Sequence, residues 1–309
     1  MMKPFTRKIL PFVCFILLFL TIRYPLQKLL SPYHESTAIV EGFYALEKDS
    51  LDVVFLGSSH MYYTVNAQTL TEEYGIPSYD FGASGQMLDM TYSFFREMLK
   101  TQSPRVVMVE MLKSVSDKSE ANENAPAWTF VPMPMSWNKV RTVYDYFDGD
   151  LKKTMQYTFA PLMQWHNRWE NLTREDWAHL FKLDRTHPSR GYQYTDVIVP
   201  HESIAYDQES TGECALPEEN KEILRQMAAL AERENIRLVF FKSPSPKWTR
   251  EQSEAVMYFM EEESLEYLDL HEYMEEMGID YQTDFCDDSH LNSSGAEKAT
   301  RFLADYLQD

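Results

Sequence analysis

The sequence predicts an α/β fold in which helices cover both faces of a parallel sheet. Short apolar runs alternate with segments of helical periodicity. The runs are apolar throughout rather than at every second position, which is typical of strands buried on both faces. The alternation occurs twice, before and after a long segment at 112–217. We therefore expect one α/β domain over residues 51–309 that carries a large insertion at 112–217, preceded by a connector at 31–50.

The elements follow from these patterns in chain order. The first half predicts strands and helices in alternation, at 52–56, 67–74, 78–81, 87–100 and 105–111. The second half begins and ends with a helix and alternates in the same way, at 218–234, 237–241, 251–263, 265–270 and 294–307. In a parallel sheet of this kind, ligands bind beyond the carboxyl ends of the strands. The loops that follow the strands are therefore where we expect a site.

The insertion at 112–217 is rich in aromatic residues and contains five of the six tryptophans. An insertion that leaves the sheet at the edge of a site is suited to act as a cap or as a substrate-binding element. We therefore predict that rings such as Trp128 and Trp137 stack on a flat, polar ligand such as a sugar. At individual positions, packing inside the insertion is the stronger alternative, as for Trp165 and Trp169, which are four residues apart.

The charge of the chain is acidic and unevenly placed. There are 29 Lys and Arg residues against 48 Asp and Glu residues, for a formal net charge of −19. A chain this acidic lacks the broad basic face that neutralises phosphates, so we expect no nucleic acid partner. The first 30 residues are the exception, because they contain five basic residues and no acid: Lys3, Arg7, Lys8, Arg23 and Lys28.

The basic start surrounds an uncharged apolar run of 14 residues at 9–22. This length suits the apolar part of a secretory signal better than a spanning helix, yet no small-residue cleavage site follows it. We expect an uncleaved signal-anchor helix within residues 1–30, because Lys8 and Arg23 can extend to the two membrane interfaces. The excess of positive charge before the run predicts a cytoplasmic tip and an extracytoplasmic body. A buried N-terminal helix is the less favoured alternative.

The sequence also contains cysteines and candidate metal ligands. Cys214 and Cys286 can form one disulfide in an oxidising compartment or remain thiols, and the sequence leaves both open. His60, Asp287, Asp288 and His290 are residue types that can bind a metal, but a metal is not expected because no paired-histidine helix motif is present. No other cofactor is expected.

Two loops after predicted strands carry residue types that suit nucleophilic catalysis. Residues 57–60, Gly-Ser-Ser-His, follow the first strand directly, so a serine there can project its hydroxyl over the sheet edge beside exposed backbone N–H groups. Residues 80–86 follow the second strand and include Gly85, which can add an N–H donor at the same edge. Taken alone, each loop is better explained as a turn.

A third loop, residues 285–292, lies immediately before the last predicted helix and has Asp287 three residues ahead of His290. An aspartate placed this way can hold the imidazole through its Nδ1–H and leave Nε2 free to accept a proton from a serine. Alone, such a pair on a surface usually has no role. The three loops together predict a catalytic site, because they supply a nucleophile, oxyanion donors and a base.

These motifs resemble the SGNH (GDSL-like) serine hydrolases, whose flavodoxin-like domain carries a serine near its start and Asp-x-x-His near its end. The resemblance implies that Ser59 is the nucleophile, that Asp287 and His290 are the closing pair, and that the N–H groups of Ser59 and Gly85 hold the oxyanion. The fold that it implies is the same parallel α/β sheet, with one N-terminal membrane helix and the aromatic insertion added.

The resemblance covers residues 50–111 and 218–309 and leaves the insertion outside it. The longer loop sequences GSSH and DDSHLNSSGA resemble those of a membrane-anchored branch of this family, which is related to D-alanine transfer and alginate acetylation proteins. Such relatives act outside the membrane on acylated cell-wall or capsular polysaccharide. The resemblance therefore implies a cell-membrane location and acylated polysaccharide as partner, together with a membrane-bound O-acyltransferase.

The sequence departs from the family pattern in two places. Ser58 stands where the family usually has aspartate, as it also does in the anchored branch. The third family block, Gly-x-Asn-Asp, is absent, because residues 111–114 after the third strand read Met-Leu-Lys-Ser. Losing one oxyanion donor costs on the order of 10²–10³ in rate, so an unreplaced Asn implies a slow or inactive relative.

Two functions of different class are therefore expected. The first is an extracytoplasmic serine acyl esterase or O-acyltransferase with Ser59, Asp287 and His290 as its catalytic residues and with His60, Trp128 and Trp137 near the substrate. The second is a non-catalytic accessory protein that binds polysaccharide or docks on a membrane acyltransferase.

Overall fold

The structure, a computed structural model, describes residues 4–207 and 214–308. Its centre is a five-stranded sheet in the order β2-β1-β3-β4-β5, in which every neighbouring pair is parallel. The strands are β1 Val53–Gly57, β2 Ser78–Gly82, β3 Val106–Glu110, β4 Arg237–Lys242 and β5 Glu266–Asp269. This order is that of flavodoxin-like folds, so the predicted α/β class is confirmed.

Fourteen α-helices occur in the described residues. They are α1 Pro4–Leu30, α2 Glu35–Tyr44, α3 Ser59–Thr64, α4 Ala67–Glu72, α5 Leu88–Met98, α6 Ala125–Phe130, α7 Trp137–Tyr146, α8 Leu151–Thr158, α9 Leu162–Trp165, α10 Arg174–Phe181, α11 Glu218–Glu234, α12 Arg250–Glu262, α13 Met274–Met277 and α14 Ser293–Gln308. β1, β2 and β3 are buried at every position. Strands buried throughout must be covered on both faces of the sheet, as expected from their unbroken apolar runs.

The strand register brings the carboxyl ends of β1, β2 and β3 to one edge. Leu56 of β1 lies beside Phe81 of β2 and Val109 of β3. The last residues of β1 and β2 are the paired glycines Gly57 and Gly82, where a Cβ on Gly82 would lie 2.2 Å from the Gly57 carbonyl oxygen. Only glycine permits this approach, and it packs the loops after the two strands closely together.

Residues 31–50, expected to be a connector, instead contain α2, which packs against β2 and α6. Ile39, Val40 and Phe43 of this helix are buried in the main hydrophobic core, and Phe43 stacks on Phe81 with ring centroids 3.8 Å apart. The segment therefore belongs to the folded body, since its apolar residues at helical spacing bury one face of α2.

The insertion at 112–217 lies between β3 and α11 and contains α6 to α10 in its described part. Its tail, residues 187–199, is here called the return segment because it runs back along the sheet edge. The Asp80 N–H donates to the Arg190 carbonyl at 3.0 Å, and the Ser293 N–H donates to the Thr195 carbonyl at 2.8 Å. These bonds place the return segment beside β2 and beside the start of α14.

Residues 4–30 form α1, which contacts α9 and α10 of the insertion. Among the described residues, no helix combines the length and the apolar character needed to cross a membrane. The expected membrane helix is therefore not supported.

Candidate active site

Ser59 is the first residue of α3 and stands just beyond the end of β1. The residue before it, Ser58, is extended, with φ −87° and ψ −165°, so the chain turns sharply from strand into helix at this point. Backbone N–H groups in the first turn of a helix have no partner within that helix. The Ser59 side chain is therefore presented at the sheet edge together with a backbone donor.

The loop that carries Asp287 and His290 is held closed by its own backbone. Phe285 and Leu291 form an antiparallel bridge, and the Cys286 N–H donates to the His290 carbonyl at 3.0 Å. The Asp287 carboxylate accepts the backbone N–H of His290 at 2.8 Å. A side chain that closes its own turn in this way fixes the direction in which the next side chains point.

A continuous chain of hydrogen bonds joins the three predicted catalytic residues. His290 Nε2 lies 2.8 Å from Ser59 Oγ, and His290 Nδ1 lies 2.9 Å from Asp287 Oδ2. Both distances are within the range in which a serine, an imidazole and a carboxylate exchange or orient a proton. The structure thus brings together residues that are 231 positions apart in the chain.

The electrostatics around Asp287 favour its ionised form. Burial tends to raise the pKa of this carboxyl, but the hydrogen bond from the His290 ring and the charge of that ring act against burial, as do the backbone N–H donors of Ser289 and His290. The net result is an Asp287 pKa below the usual value. Asp287 therefore stays charged and able to stabilise an imidazolium on His290.

Two rings flank His290 and limit its movement. The Tyr63 ring lies 5.0 Å from the imidazole between centroids, and the His60 ring lies 4.7 Å away. His60 is 4% exposed, and its Nδ1 has no hydrogen-bond partner among the described residues. Burial, with the charges of Lys242 and His290, holds the His60 pKa well below its usual value, so this ring is neutral.

An open cavity of about 290 Å³ adjoins the hydrogen-bond chain. The described residues that line it are Glu35, Ser59, Tyr63, Ser84, Thr195, Val197, Cys286, Asp287 and His290. Several of them were not predicted from the sequence. His60 is not among them, contrary to the expected substrate contact, because it is buried beneath the imidazole. Glu35 begins α2, and Thr195 and Val197 belong to the return segment. No motif marks these three positions in the sequence.

Glu35 gives the cavity a second carboxylate besides Asp287. The Tyr62 hydroxyl donates to Glu35 Oε1 at 2.7 Å, which fixes the carboxylate at the start of α2. Neither Lys nor Arg occurs among the described side chains that line this cavity. Two walls of the catalytic cavity therefore carry a negative charge, which influences the acyl groups that bind there.

The predicted oxyanion donors are only partly brought to the site. Ser59 supplies a backbone N–H in the first turn of α3. Gly85 has a positive φ of 64° and lies against Asn122 and Ala125. It is not among the described residues that line the catalytic cavity, whereas Ser84 of the same loop is. The Ser84 N–H is already bound to Ser36 Oγ at 2.9 Å. No side-chain amide is among the described wall residues.

The two tryptophans expected near the substrate lie elsewhere. Trp128 stacks on His34 with ring centroids 4.2 Å apart and lines a different cavity. Trp137 is 88% exposed at the start of α7 and is absent from the described walls of the catalytic cavity. Neither ring therefore lines the described walls of the catalytic cavity, and stacking of these rings on a ligand stays a prediction. α6 contacts α2, and α7 contacts α5.

The described residues form neither a disulfide nor a metal site. Cys14, Cys214 and Cys286 are free thiols. The part of the chain that the structure describes contains no group of three or more His, Cys, Asp or Glu side chains arranged to hold a metal ion.

Comparisons with known proteins add distant likenesses. No protein-family model matches the sequence, and no curated protein matches it. One similar solved structure is a proposed acylhydrolase from Bacteroides fragilis, at 12% identity and a TM-score of 0.40, covering 85% of this chain and 90% of that chain. Another is a GDSL-like lipase from Bacteroides thetaiotaomicron, at 12% identity and a TM-score of 0.38, covering 86% of this chain and 93% of that chain. The names of both agree with the resemblance stated above, while likenesses this distant carry no argument about function.

Proposed function

We propose that the protein is a serine ester hydrolase or acyltransferase of the SGNH type. The observation that supports this proposal is the hydrogen-bonded chain from Ser59 Oγ through the His290 ring to Asp287, at 2.8 and 2.9 Å, beside an open cavity. A hydroxyl, an imidazole and a charged carboxylate in this order are the groups that acyl transfer through a serine requires.

The proposed first half-reaction forms an acyl-enzyme. Ser59 Oγ attacks the carbonyl carbon of an ester while His290 Nε2 takes the hydroxyl proton, and Asp287 stabilises the resulting imidazolium. The negative charge on the carbonyl oxygen is held by the Ser59 N–H in the first turn of α3. When the C–O bond to the leaving alcohol breaks, His290 returns the proton to that alcohol.

The second half-reaction transfers the acyl group to an acceptor. His290 takes a proton from water or from a hydroxyl, whose oxygen attacks the acyl carbon, and the proton then returns to Ser59 Oγ as the ester bond breaks. Water as acceptor makes the protein an esterase, and a sugar hydroxyl makes it an acyltransferase. The open cavity gives room for either acceptor.

We further propose acylated cell-surface polysaccharide as the substrate, at an extracytoplasmic location on the cell membrane and together with a membrane-bound O-acyltransferase. The resemblance of the loops supports the substrate and the partner. The exposed apolar side chains of α1, among them Phe12 and Phe15, support a location at a membrane surface. Fractionation of cells, combined with protease access to intact cells, tests this location.

The deciding experiment replaces the proposed nucleophile. Ser59→Ala is expected to lower kcat for p-nitrophenyl acetate by at least about 10³-fold and to abolish labelling by a serine-reactive phosphonate. His290→Ala is expected to abolish labelling as well, since the hydroxyl then has no base. The matched control is Ser58→Ala, which removes a neighbouring buried hydroxyl that has no hydrogen-bond partner among the described residues. Equal phosphonate labelling of wild type and Ser59→Ala would refute the proposal.

The incomplete set of oxyanion donors favours a second candidate, a non-catalytic accessory protein. Without an amide at the third block, the site has fewer donors than acyl transfer uses in the resembled family. Normal polysaccharide acylation in cells that carry Ser59→Ala, with loss of acylation when the exposed Trp137 is replaced by alanine, would favour this candidate over catalysis.

A further inference from the structure

A second and larger cavity lies apart from the active site. Its volume is about 570 Å³, and it shares none of its described lining residues with the catalytic cavity. Its walls come from α1, α2, α6, α7 and neighbouring parts of the insertion. A volume of this size is typical of sites that bind small molecules.

The charge around this cavity is opposite to that of the whole protein. Among the described residues that line it are four basic side chains, Arg23, Lys28, Lys139 and Arg185, and one carboxylate, that of Glu41. The formal net charge of the chain is −19, so four cations at one cavity are not a reflection of average composition. A concave surface lined by one sign of charge attracts ligands of the other sign.

Lys139 is the most informative of these cations. Lys139 is 3% exposed. Its Nζ donates to the Met133 carbonyl at 2.8 Å and to the Val131 carbonyl at 3.4 Å. Among the described residues it forms no ion pair with a carboxylate. Burial lowers the Lys139 pKa to about 7, opposed by Glu97 of α5 and assisted by Arg23 of α1. A buried ammonium without an anion is costly, and a bound anion would relieve that cost.

Three polar atoms at the same cavity lack partners. Ser31 Oγ, Thr158 Oγ1 and His179 Nδ1 are buried and make no hydrogen bond in the part of the chain that the structure describes. Buried polar atoms are nearly always satisfied, so three unsatisfied atoms in residues that line one cavity favour a ligand with several acceptors or donors.

The remaining walls are apolar and continue onto an apolar surface. Trp128, Met133 and Trp165 line the cavity beside the cations. Beyond Arg23, α1 exposes apolar side chains toward its amino end, including Phe15 and Leu18. The ligand that matches both features has an anionic head with several oxygen atoms and an apolar tail.

We propose that this cavity binds an anionic phospholipid, whose phosphate faces Lys139, Arg23 and Arg185 and whose acyl chains lie along α1. The tail distinguishes the ligand from free phosphate, because nothing in a bare anion would match the tryptophan and methionine walls. Binding at this site is independent of acyl transfer at Ser59.

The test is calorimetric titration of the full chain with dihexanoyl-phosphatidylglycerol below its micelle concentration. Lys139→Met is expected to weaken binding by about tenfold or more, as the loss of one charge-assisted contact predicts. Thr158→Val is expected to weaken binding less than Lys139→Met does. This second variant tests the same cavity if Lys139→Met fails to fold. The matched control is Lys152→Met, which removes an exposed lysine of α8 outside the cavity and is expected to leave affinity unchanged.

Proton uptake gives a second readout. A phosphate beside Lys139 raises its pKa, so near neutral pH binding takes up protons and the measured heat depends on the buffer. This dependence is expected in wild type and in Ser59→Ala, and it is expected to disappear in Lys139→Met. Equal affinity in wild type and Lys139→Met would overturn the proposal. So would equal affinity for dihexanoyl-phosphatidylcholine, or competition by inorganic phosphate at the same concentration.

Discussion

At the scale of single residues, the surroundings of His290 favour its role as a base. A positive charge on His60 would oppose the imidazolium that forms during acyl transfer. Burial keeps His60 neutral, so it packs against His290 without adding charge. Asp287, held in its ionised form, lies on the opposite nitrogen. The imidazole therefore has a charged partner on one side and neutral rings on the other.

Glu35 is expected to control which acyl groups the cavity accepts. Its carboxylate lines the same cavity as Ser59 and repels an anionic acyl group within a few ångströms. We predict that wild type cleaves p-nitrophenyl acetate faster than the anionic p-nitrophenyl monosuccinate. Glu35→Gln is expected to raise kcat/KM for the succinate relative to the acetate by about tenfold.

The control for this prediction is Asp288→Asn. Asp288 is also close to the catalytic loop, but its carboxylate pairs with Lys247 at 3.0 Å and both side chains are 66% exposed. Its replacement is expected to leave the preference between the two esters as it is in wild type. An unchanged preference in Glu35→Gln itself would show that Glu35 does not select the acyl group.

At the scale of elements, the loop at 284–292 depends on the start of α14. Asn292 is 3% exposed, and its Nδ2 donates to the Thr283 carbonyl at 2.7 Å and to the Val197 carbonyl at 3.3 Å. Its Oδ1 accepts the Gly295 N–H at 3.1 Å, in the first turn of the helix. One side chain therefore connects the catalytic loop, the return segment and α14.

Asn292→Ala is expected to lower the free energy of unfolding by about 2 kcal/mol, because it removes a helix cap and leaves buried carbonyls unpaired. It is also expected to lower kcat, since the loop that positions His290 loses its anchor. Denaturant unfolding and ester turnover measure the two effects. Asn171→Ala, at an exposed asparagine of the insertion, serves as the control. Wild-type stability in Asn292→Ala would contradict the assigned role.

The elements of the sheet could be predicted from the sequence, because their patterns are local. The predicted strand at 52–56 is observed as Val53–Gly57, and the predicted helix at 218–234 is observed over the same residues. The loop that bears Ser59 could also be placed, since the carboxyl ends of parallel strands share an edge. The loop that bears His290 follows no strand, and only its Asp-x-x-His pattern indicated that it belongs to the site.

The parts that could not be predicted depend on contacts between distant segments. Residues 31–50 looked like a connector, yet α2 is buried through its packing on β2, and it brings Glu35 to the active site. Trp128 and Trp137 were placed near the substrate because an insertion can cap a site. Where each helix of an insertion packs is set by tertiary contacts that its own sequence pattern does not reveal.

At the scale of the whole molecule, a buried ion pair within the sheet and the hydrogen bonds beside it connect the sheet to the insertion and to α3. Lys242 Nζ of β4 lies 3.0 Å from Glu110 Oε1 of β3, and both side chains are fully buried. Glu110 also accepts the N–H of Leu112, where the insertion begins, at 3.0 Å. Ser243 Oγ donates to the His60 carbonyl at 3.2 Å, below the active site. The sheet, the insertion and α3 therefore form one connected core.

Because the insertion is part of that core, the protonation of its histidines bears on the stability of the whole chain. Burial lowers the pKa of His187 to about 4, assisted by Lys182. His179 is likewise lowered to about 4, by burial and then by Lys28, Arg185 and Lys182. His187 Nδ1 accepts the Gly191 N–H at 3.0 Å, so protonation of that nitrogen breaks a bond of the return segment.

The sign of the resulting pH dependence follows from these shifts. Between pH 6.5 and about 4, the unfolded chain binds protons at His187 and His179 that the folded chain does not bind. Stability is therefore full above pH 6.5 and is lost as the pH falls through this range. For His187 the loss is up to about 2 kcal/mol once screening by solvent is allowed for. His187→Gln is expected to flatten the fall of the unfolding temperature with pH, whereas His166→Gln, at an exposed histidine of the same insertion, is expected to leave it unchanged. The same steep fall in His187→Gln as in wild type would place the acid sensitivity outside the return segment.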